Sequence, residues 1–351
     1  SRPGVAGVLR RGSRVRRRPL ALAAPVSAAA AAAQGLDYGS ATNQGPRDYM
    51  EDAIDVRNNG KGGYMYAAVF DGHGGSPAAE WLKEQLYDIV AKAMSGEESL
   101  TSESWTDKLK RKLTKSIVPQ APIYLAPALD RAFRTADERL LEHLSTLEPP
   151  DAWCGATATV VLVREDRYVV ANVGDSRAVL FRGEKQRPIS LSQEHRPETH
   201  TQLGKAEIKR IQKGGGWVQW DRVCGVLAVS RALGDHDFKG GRHAMLEAMQ
   251  EQLNRQAMKA TLEEPPVIPV PDVSEVPAEP EKDEFLILAT DGLWDVCSNV
   301  TVGQFVRRER LKGKSFAEVA QELVREASDK RRSQDNVACI IIDLANGETR
   351  R

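Results

Sequence analysis

The sequence predicts an α+β fold in which helix layers enclose antiparallel β-sheet. Three observations point there. Short β-branched apolar runs are bounded by turn residues, longer segments between them repeat apolar residues every three or four positions, and neighbouring apolar runs are joined by turns too tight for a crossover helix. Grouped strands and grouped helices then favour segregated layers over βαβ alternation.

The elements follow in chain order. Residues 1–36 lack any acidic side chain, and Arg10, Arg11, Arg14, Arg16, Arg17 and Arg18 precede an alanine-rich run ending at Ala33. This composition reads as an organellar transit peptide or, more blandly, a disordered basic leader; on either reading it lies outside the fold. The domain then runs over residues 37–346, with a short tail at 347–351. Tyr64–Phe70 is an apolar strand, and Pro77–Ala93 is an amphipathic helix. Ser95–Pro119 is polar and weakly patterned, as an insertion would be. A helix is expected over Ala128–Leu147, and strands over Thr157–Val163, Tyr168–Val173 and Ala178–Phe181, the first two forming a hairpin. An insert or flap occupies about 190–262, with a Met/Gln/Glu-rich helix candidate at Met245–Leu262. Pro265, Pro266, Pro269, Pro271 and Pro277 then predict an extended surface segment, because each proline removes a backbone donor and restricts the residue before it. A strand at Phe285–Thr290, helices at Val302–Leu311 and Phe316–Ala327, and a strand at Val337–Leu344 complete the domain.

Composition excludes several classes of function. The formal net charge is +0, so no global field draws the chain to nucleic acid, and no nucleic-acid partner is expected. No stretch reaches the ~20 apolar residues of a spanning helix. The four cysteines, Cys154, Cys224, Cys297 and Cys339, form no C-x-x-C pair, which argues against a zinc site and for buried reduced thiols. A cysteine nucleophile with an arginine after five residues is also missing, since Cys224 reaches Arg231 only after six.

The chemistry concentrates in acidic residues at the ends of elements. Ala67–Phe70 leads into Asp71-Gly72-His73, and Leu286–Thr290 leads into Asp291-Gly292-Leu293-Trp294-Asp295. Asp335-Asn336 precedes the last apolar run, Asp175 stands in the turn Gly174–Arg177, and Glu51-Asp52 precedes another apolar stretch. One Asp-Gly pair alone is usually a turn. Several carboxylates gathered at one sheet edge repel each other and call for a cation. An all-oxygen set with little histidine and no supporting cysteine selects Mg²⁺ or Mn²⁺.

With these residues in view, the chain resembles the metal-dependent type 2C (PPM) serine/threonine protein phosphatases from about Tyr38 to about Leu344. The resemblance rests on Arg47–Asp52, Val69–Gly75, Gly174–Arg177, Val229–Asp235, Asp291–Asp295 and Asp335-Asn336, in the family's order. It implies a four-layer α-β-β-α sandwich of two antiparallel sheets flanked by helices, with a pair of metal ions at one end. Carried over by position, Asp71 would bridge the ions, Asp291 and Asp335 would hold one, and Glu51 with the Gly72 carbonyl would serve the other. Asp175 and Asp295 match positions that bind a third, weaker ion in several relatives. Arg47 would clamp the substrate phosphate, and His73 would protonate the leaving alkoxide while a water on the dinuclear centre attacks phosphorus.

Glu194-His195-Arg196-Pro197 resembles the family's Asp-His-Lys-Pro run, and the residues after it depart from the usual pattern. With the basic leader and Arg331–Asn336, the chain is similar to thylakoid-associated members that act on light-harvesting antenna proteins. That likeness implies a chloroplast location at the stroma or stromal face, with cytoplasm or nucleus as the alternative. A phosphoprotein substrate, peripheral thylakoid association and a monomeric state are expected. The contrasting readings are a catalytically inactive phosphoprotein-binding scaffold of the same fold, or a type 2C phosphatase with a non-thylakoid substrate. For Trp217 and Trp220 the expectation is core or flap packing.

Overall fold

The computed structural model describes residues 35–60, 63–95, 125–183 and 187–345. The leader up to residue 34, the polar insertion beyond Ser95 and the tail 347–351 lie outside the described residues. Two five-stranded sheets form the body. In chain order their strands are β1 (Tyr38–Asn43), β2 (Ala53–Gly60), β3 (Tyr64–Phe70), β4 (Ala158–Val163), β5 (Arg167–Val173), β6 (Arg177–Arg182), β7 (Ile189–Ser190), β8 (Asp272–Pro277), β9 (Asp283–Ala289) and β10 (Val337–Asp343). One sheet runs β8-β5-β4-β3-β2 and the other β1-β10-β9-β6-β7, with antiparallel pairing throughout.

Alternation along each central strand builds the layers. On β3, Tyr64, Tyr66, Ala68 and Phe70 point outward into a core shared with helices α1 (Pro77–Ser95) and α2 (Leu125–Leu144), while Met65, Ala67 and Val69 point inward. On β9 and β10, Leu286, Leu288, Ile340 and Ile342 meet that inward face. Phe285, Ile287, Cys339 and Ile341 pack instead against α5 (Asp291–Trp294), α6 (Asn299–Leu311) and α7 (Phe316–Arg325). Three stacked cores between four layers are the expected α-β-β-α sandwich. Strands buried on both faces read as continuous apolar runs, which is why these stood out in the sequence.

Between β7 and β8 the chain makes a separate lobe. It holds α3 (Gln202–Lys213), α4 (Arg242–Glu251) and the hairpin Val218–Gln219 with Arg222–Val223, around a small core of Ile211, Trp217, Val223, Leu246, Leu262 and Val267. Thr201 caps α3, its hydroxyl accepting from the Gly204 amide. The helix expected over Met245–Leu262 instead starts at Arg242 and stops at Glu251. Only the short turn Ala257–Lys259 follows, and Leu253 and Leu262 take positive φ values that no helix continues through. The proline-rich stretch leads into the edge strand β8, where Pro277 ends the ladder, but it is not the surface segment expected: Pro266, Val267 and Pro271 are buried, because this stretch packs against the lobe core.

Candidate active site

Strand ends from both sheets deliver the acidic residues to one rim of the sandwich. Asp71 follows β3, Asp175 lies in the turn between β5 and β6, and Asp291 opens α5 after β9. One carboxylate oxygen from each of Asp71, Asp175 and Asp291 lies within 4.8 Å of the others. Glu51, Gly72, Asp295 and Asp335 line the same cavity, whose volume is about 550 Å³, and so do Arg47 and His73. All nine positions singled out in the sequence therefore face a common space.

The two Asp-Gly pairs owe their glycines to close approach. A Cβ on Gly72 would stand 2.4 Å from the Glu51 carbonyl oxygen, and one on Gly292 would stand 1.9 Å from that of Asn336. Each glycine thus lets the next acid-bearing loop press against the strand end. Asn336 ties the loops further: its Oδ1 accepts from the Glu51 amide at 2.8 Å, and its Nδ2 donates to the Gln44 and Tyr49 carbonyls at 2.8 and 3.0 Å. Thr157 steadies Asp71 by accepting from its backbone amide at 3.3 Å.

Electrostatics around the cluster is strained without a cation. Burial pushes the Asp71 carboxyl well above its ordinary range, and the charges of Asp52, Asp291, Asp175 and Asp335 push it further. Burial and then Asp175 push Asp291 up to about 8, against the pull of Arg196. Asp52 rises to about 7, chiefly through burial, although Thr290 donates to it at 2.9 Å. Hard divalent cations among these oxygens would reverse that cost, so the donor set fits Mg²⁺ or Mn²⁺.

Two predicted metal positions have protein partners here. Asp335 Oδ2 accepts from Arg47 Nη2 at 2.7 Å, and Glu51 Oε1 accepts from the Gly75 amide at 2.6 Å. Arg47 is 48% exposed along its side chain, at the mouth of the site.

Sequence reasoning passed over two residues. Asp235 accepts or shares a proton with His73 Nε2 at 2.8 Å. It takes a left-handed conformation at φ 55, and the missing side chain of Gly155 makes room for its carboxylate, since a Cβ there would lie 2.4 Å from Asp235 Oδ2. Arg196 reaches Asp175, Asp291 and Asp295 together. Asp235 closes the run Val229–Asp235 and Arg196 stands in the Glu194–Pro197 run, so motif membership was the available signal for both. Packing explains only one of the two tryptophans. Trp217 is 8% exposed in the lobe core, whereas Trp220 is 79% exposed at the tip of the hairpin and lines the cavity.

A rim of carboxylates that fits hard divalent cations, with an arginine and a histidine beside it, defines a metal-dependent phosphate-ester hydrolase. Comparison with known proteins narrows the class. A family model described as Protein phosphatase 2C matches residues 36–337. The chain is 33% identical over 320 residues to Protein phosphatase 2C 57 of Arabidopsis thaliana, covering 89% of this chain and 76% of that one. It is 33% identical over 328 residues to Probable protein phosphatase 2C 68 of Oryza sativa subsp. japonica, covering 88% and 78%. A serine-threonine phosphatase 2C of Toxoplasma gondii has the same fold, with a TM-score of 0.64 at 22% identity over 88% of this chain and 95% of that one. The chain belongs to the protein phosphatase 2C family. It is accordingly a serine/threonine protein phosphatase that depends on Mg²⁺ or Mn²⁺.

Proposed function

We propose that the chain removes phosphate from phosphothreonine and phosphoserine of chloroplast proteins, with light-harvesting antenna proteins at the stromal face of the thylakoid as its substrate class. The convergence of Asp71, Asp175 and Asp291 within 4.8 Å supports the chemistry. The acid-free, arginine-rich leader and the likeness of Arg331–Asn336 to thylakoid-associated members support the compartment.

In this reading Asp71, Asp291 and Asp335, with Glu51 and the Gly72 carbonyl, hold two divalent ions. Bound Mg²⁺ or Mn²⁺ supplies Lewis acidity and lowers the pKa of water to near neutrality. Arg47 stands at the mouth with a planar fork that pairs two phosphoryl oxygens at once and fixes the ester for in-line attack. It exchanges its Asp335 partner for the substrate. His73 gives its proton to the departing serine or threonine oxygen, which leaves poorly as an alkoxide. Burial alone would favour the neutral imidazole, but the charge and hydrogen bond of Asp235 outweigh it and raise the His73 pKa, which keeps the proton donor loaded. The exposed Trp220 and the lobe that carries it form one wall of the cavity, where the chain flanking a phosphorylated residue would lie.

The enzyme acts as a monomer that reaches the membrane surface peripherally. Among the described residues no helix is long and apolar enough to cross a bilayer. The test is dephosphorylation of a phosphothreonine peptide with Mn²⁺ and with chelator, followed by phosphoprotein profiling of isolated thylakoids with and without enzyme. Loss of antenna phosphothreonine, dependent on Mn²⁺, is the expected result. Turnover of the peptide with an unchanged thylakoid profile would sink the substrate assignment, and a fluorescent fusion confined to cytoplasm or nucleus would sink the compartment.

A further inference from the structure

Arg196 has no role in the dinuclear reading, yet its guanidinium lies inside the acidic cluster. Its Nε donates to Asp175 Oδ2 at 2.8 Å, and its Nη2 donates to Asp291 Oδ2 at 2.7 Å and to Asp295 Oδ1 at 3.2 Å. Asp175 and Asp295 are the positions that the family resemblance gives to a third ion. A divalent cation takes carboxylate oxygens at roughly 2.0–2.6 Å around a single point. The guanidinium hydrogens already engage one oxygen of each of these carboxylates, so the ion and the arginine compete for one place.

The backbone holds Arg196 there. His195 is fully buried, its amide donates to the Gly174 carbonyl at 2.9 Å, and its carbonyl accepts from the Ser230 amide at 2.8 Å and from the Ser230 hydroxyl at 3.0 Å. Arg196 is thus anchored to the turn that carries Asp175, and only 21% of its side chain is exposed. The family's run has lysine at this point, a compact charge on a flexible stem. Arginine is always charged and its planar fork reaches carboxylates from separate loops together.

We propose that Arg196 is a tethered third cation, holding Asp175 and Asp295 in place of a third divalent ion, so that this chain binds two ions where the relatives that take a third ion at these aspartates bind three. The inference rests on the dinuclear reading above. Its consequence is a centre whose third positive charge does not depend on metal supply and does not exchange with solvent.

Calorimetric titration of the full chain with Mn²⁺ at neutral pH tests it. Wild type should bind two ions, and Arg196→Ala and Arg196→Gln should each bind three, the added one more weakly. Adding Asp295→Asn to Arg196→Ala should return the count to two. Two ions in both single variants would overturn the inference, and so would three ions in wild type, a result that needs no variant to fold. Wild type that binds none would overturn the dinuclear reading along with it.

Discussion

Gly292→Ala offers the sharpest test of how the site is assembled. The added methyl would stand 1.9 Å from the Asn336 carbonyl oxygen, where no Cβ contact under 3.0 Å is tolerated, so the two loops must part by about 1.1 Å. Asp291 precedes one loop's glycine and Asp335 precedes the other loop's asparagine, so the displacement falls directly between two acidic groups assigned to one ion. A 1 Å misplacement of reacting groups costs on the order of 10²-fold in rate, and overpacking of a buried site costs about 1–3 kcal/mol in stability. The variant should therefore show a kcat on a phosphothreonine peptide lower by roughly two orders of magnitude at saturating Mn²⁺, with a melting temperature reduced by only a few degrees. Gly303→Ala on α6 is the companion, because its methyl would meet the Phe181 ring at 2.5 Å and neither residue lines the acidic cavity. It should lose comparable stability and keep its kcat. Equal kcat in wild type and Gly292→Ala would refute the claim that glycine-licensed contact sets the spacing of the carboxylates.

Other substitutions probe single roles. Asp71→Asn leaves the shape of the site intact but removes the charge assigned to both ions, so Mn²⁺-dependent turnover should fall on the order of 10³-fold, as loss of several kcal/mol of transition-state stabilisation requires; wild-type kcat in the variant would refute the metal assignment. Arg47→Ala removes a charge-assisted phosphate contact worth roughly 1.5–3 kcal/mol, which should raise the phosphopeptide KM by about 10- to 150-fold; an unchanged KM would refute the clamp. Glu207 gives a pH test in the lobe. Burial would raise its carboxyl, but hydrogen bonds and charge from Arg231 and Arg210 outweigh burial and lower it from 4.5 to about 2. Because the folded value is depressed, the stabilisation is complete above pH 4.5 and disappears as pH falls toward 2. It amounts to roughly 3 kcal/mol, so the stability gap between wild type and Glu207→Gln, measured by urea unfolding, should shrink over that window. A gap independent of pH would contradict the ion-pair account.

Central strands and edge strands were unequally legible in the sequence. β3, β4, β9 and β10 are buried on both faces and announce themselves as apolar runs. β1, β2 and β8 lie at sheet edges and are only partly covered, so their periodicity falls below what one sequence can show. Helix α3 was missed for a related reason: only Gly204, Glu207 and Ile211 of its length are buried, and one of these is charged. Residues of the site were found where an acidic group followed an apolar run, as with Asp71 and Asp291. Asp235 and Arg196 act through His73 and Asp291, more than 90 positions away, so their motifs mark the residues while nothing local names those partners.

The lobe between β7 and β8 has its own apolar core, and its chain is joined to the body both by Leu233, which is buried in the body's core and pairs with Ala156, and by charges. Glu207 pairs with Arg231, and Arg231 continues to Asp272 on β8, so a chain of charges fastens the lobe to the sandwich edge. An apolar seam is indifferent to protonation, whereas an ionic fastening is lost when its carboxylate takes up a proton. Such a joint lets the wall that greets the phosphoprotein be rebuilt residue by residue during evolution while the hydrolytic rim beneath it stays untouched. Because Glu207 and Arg231 are largely buried, salt screens their pairing little, and strong acid, which protonates Glu207, is what loosens the joint.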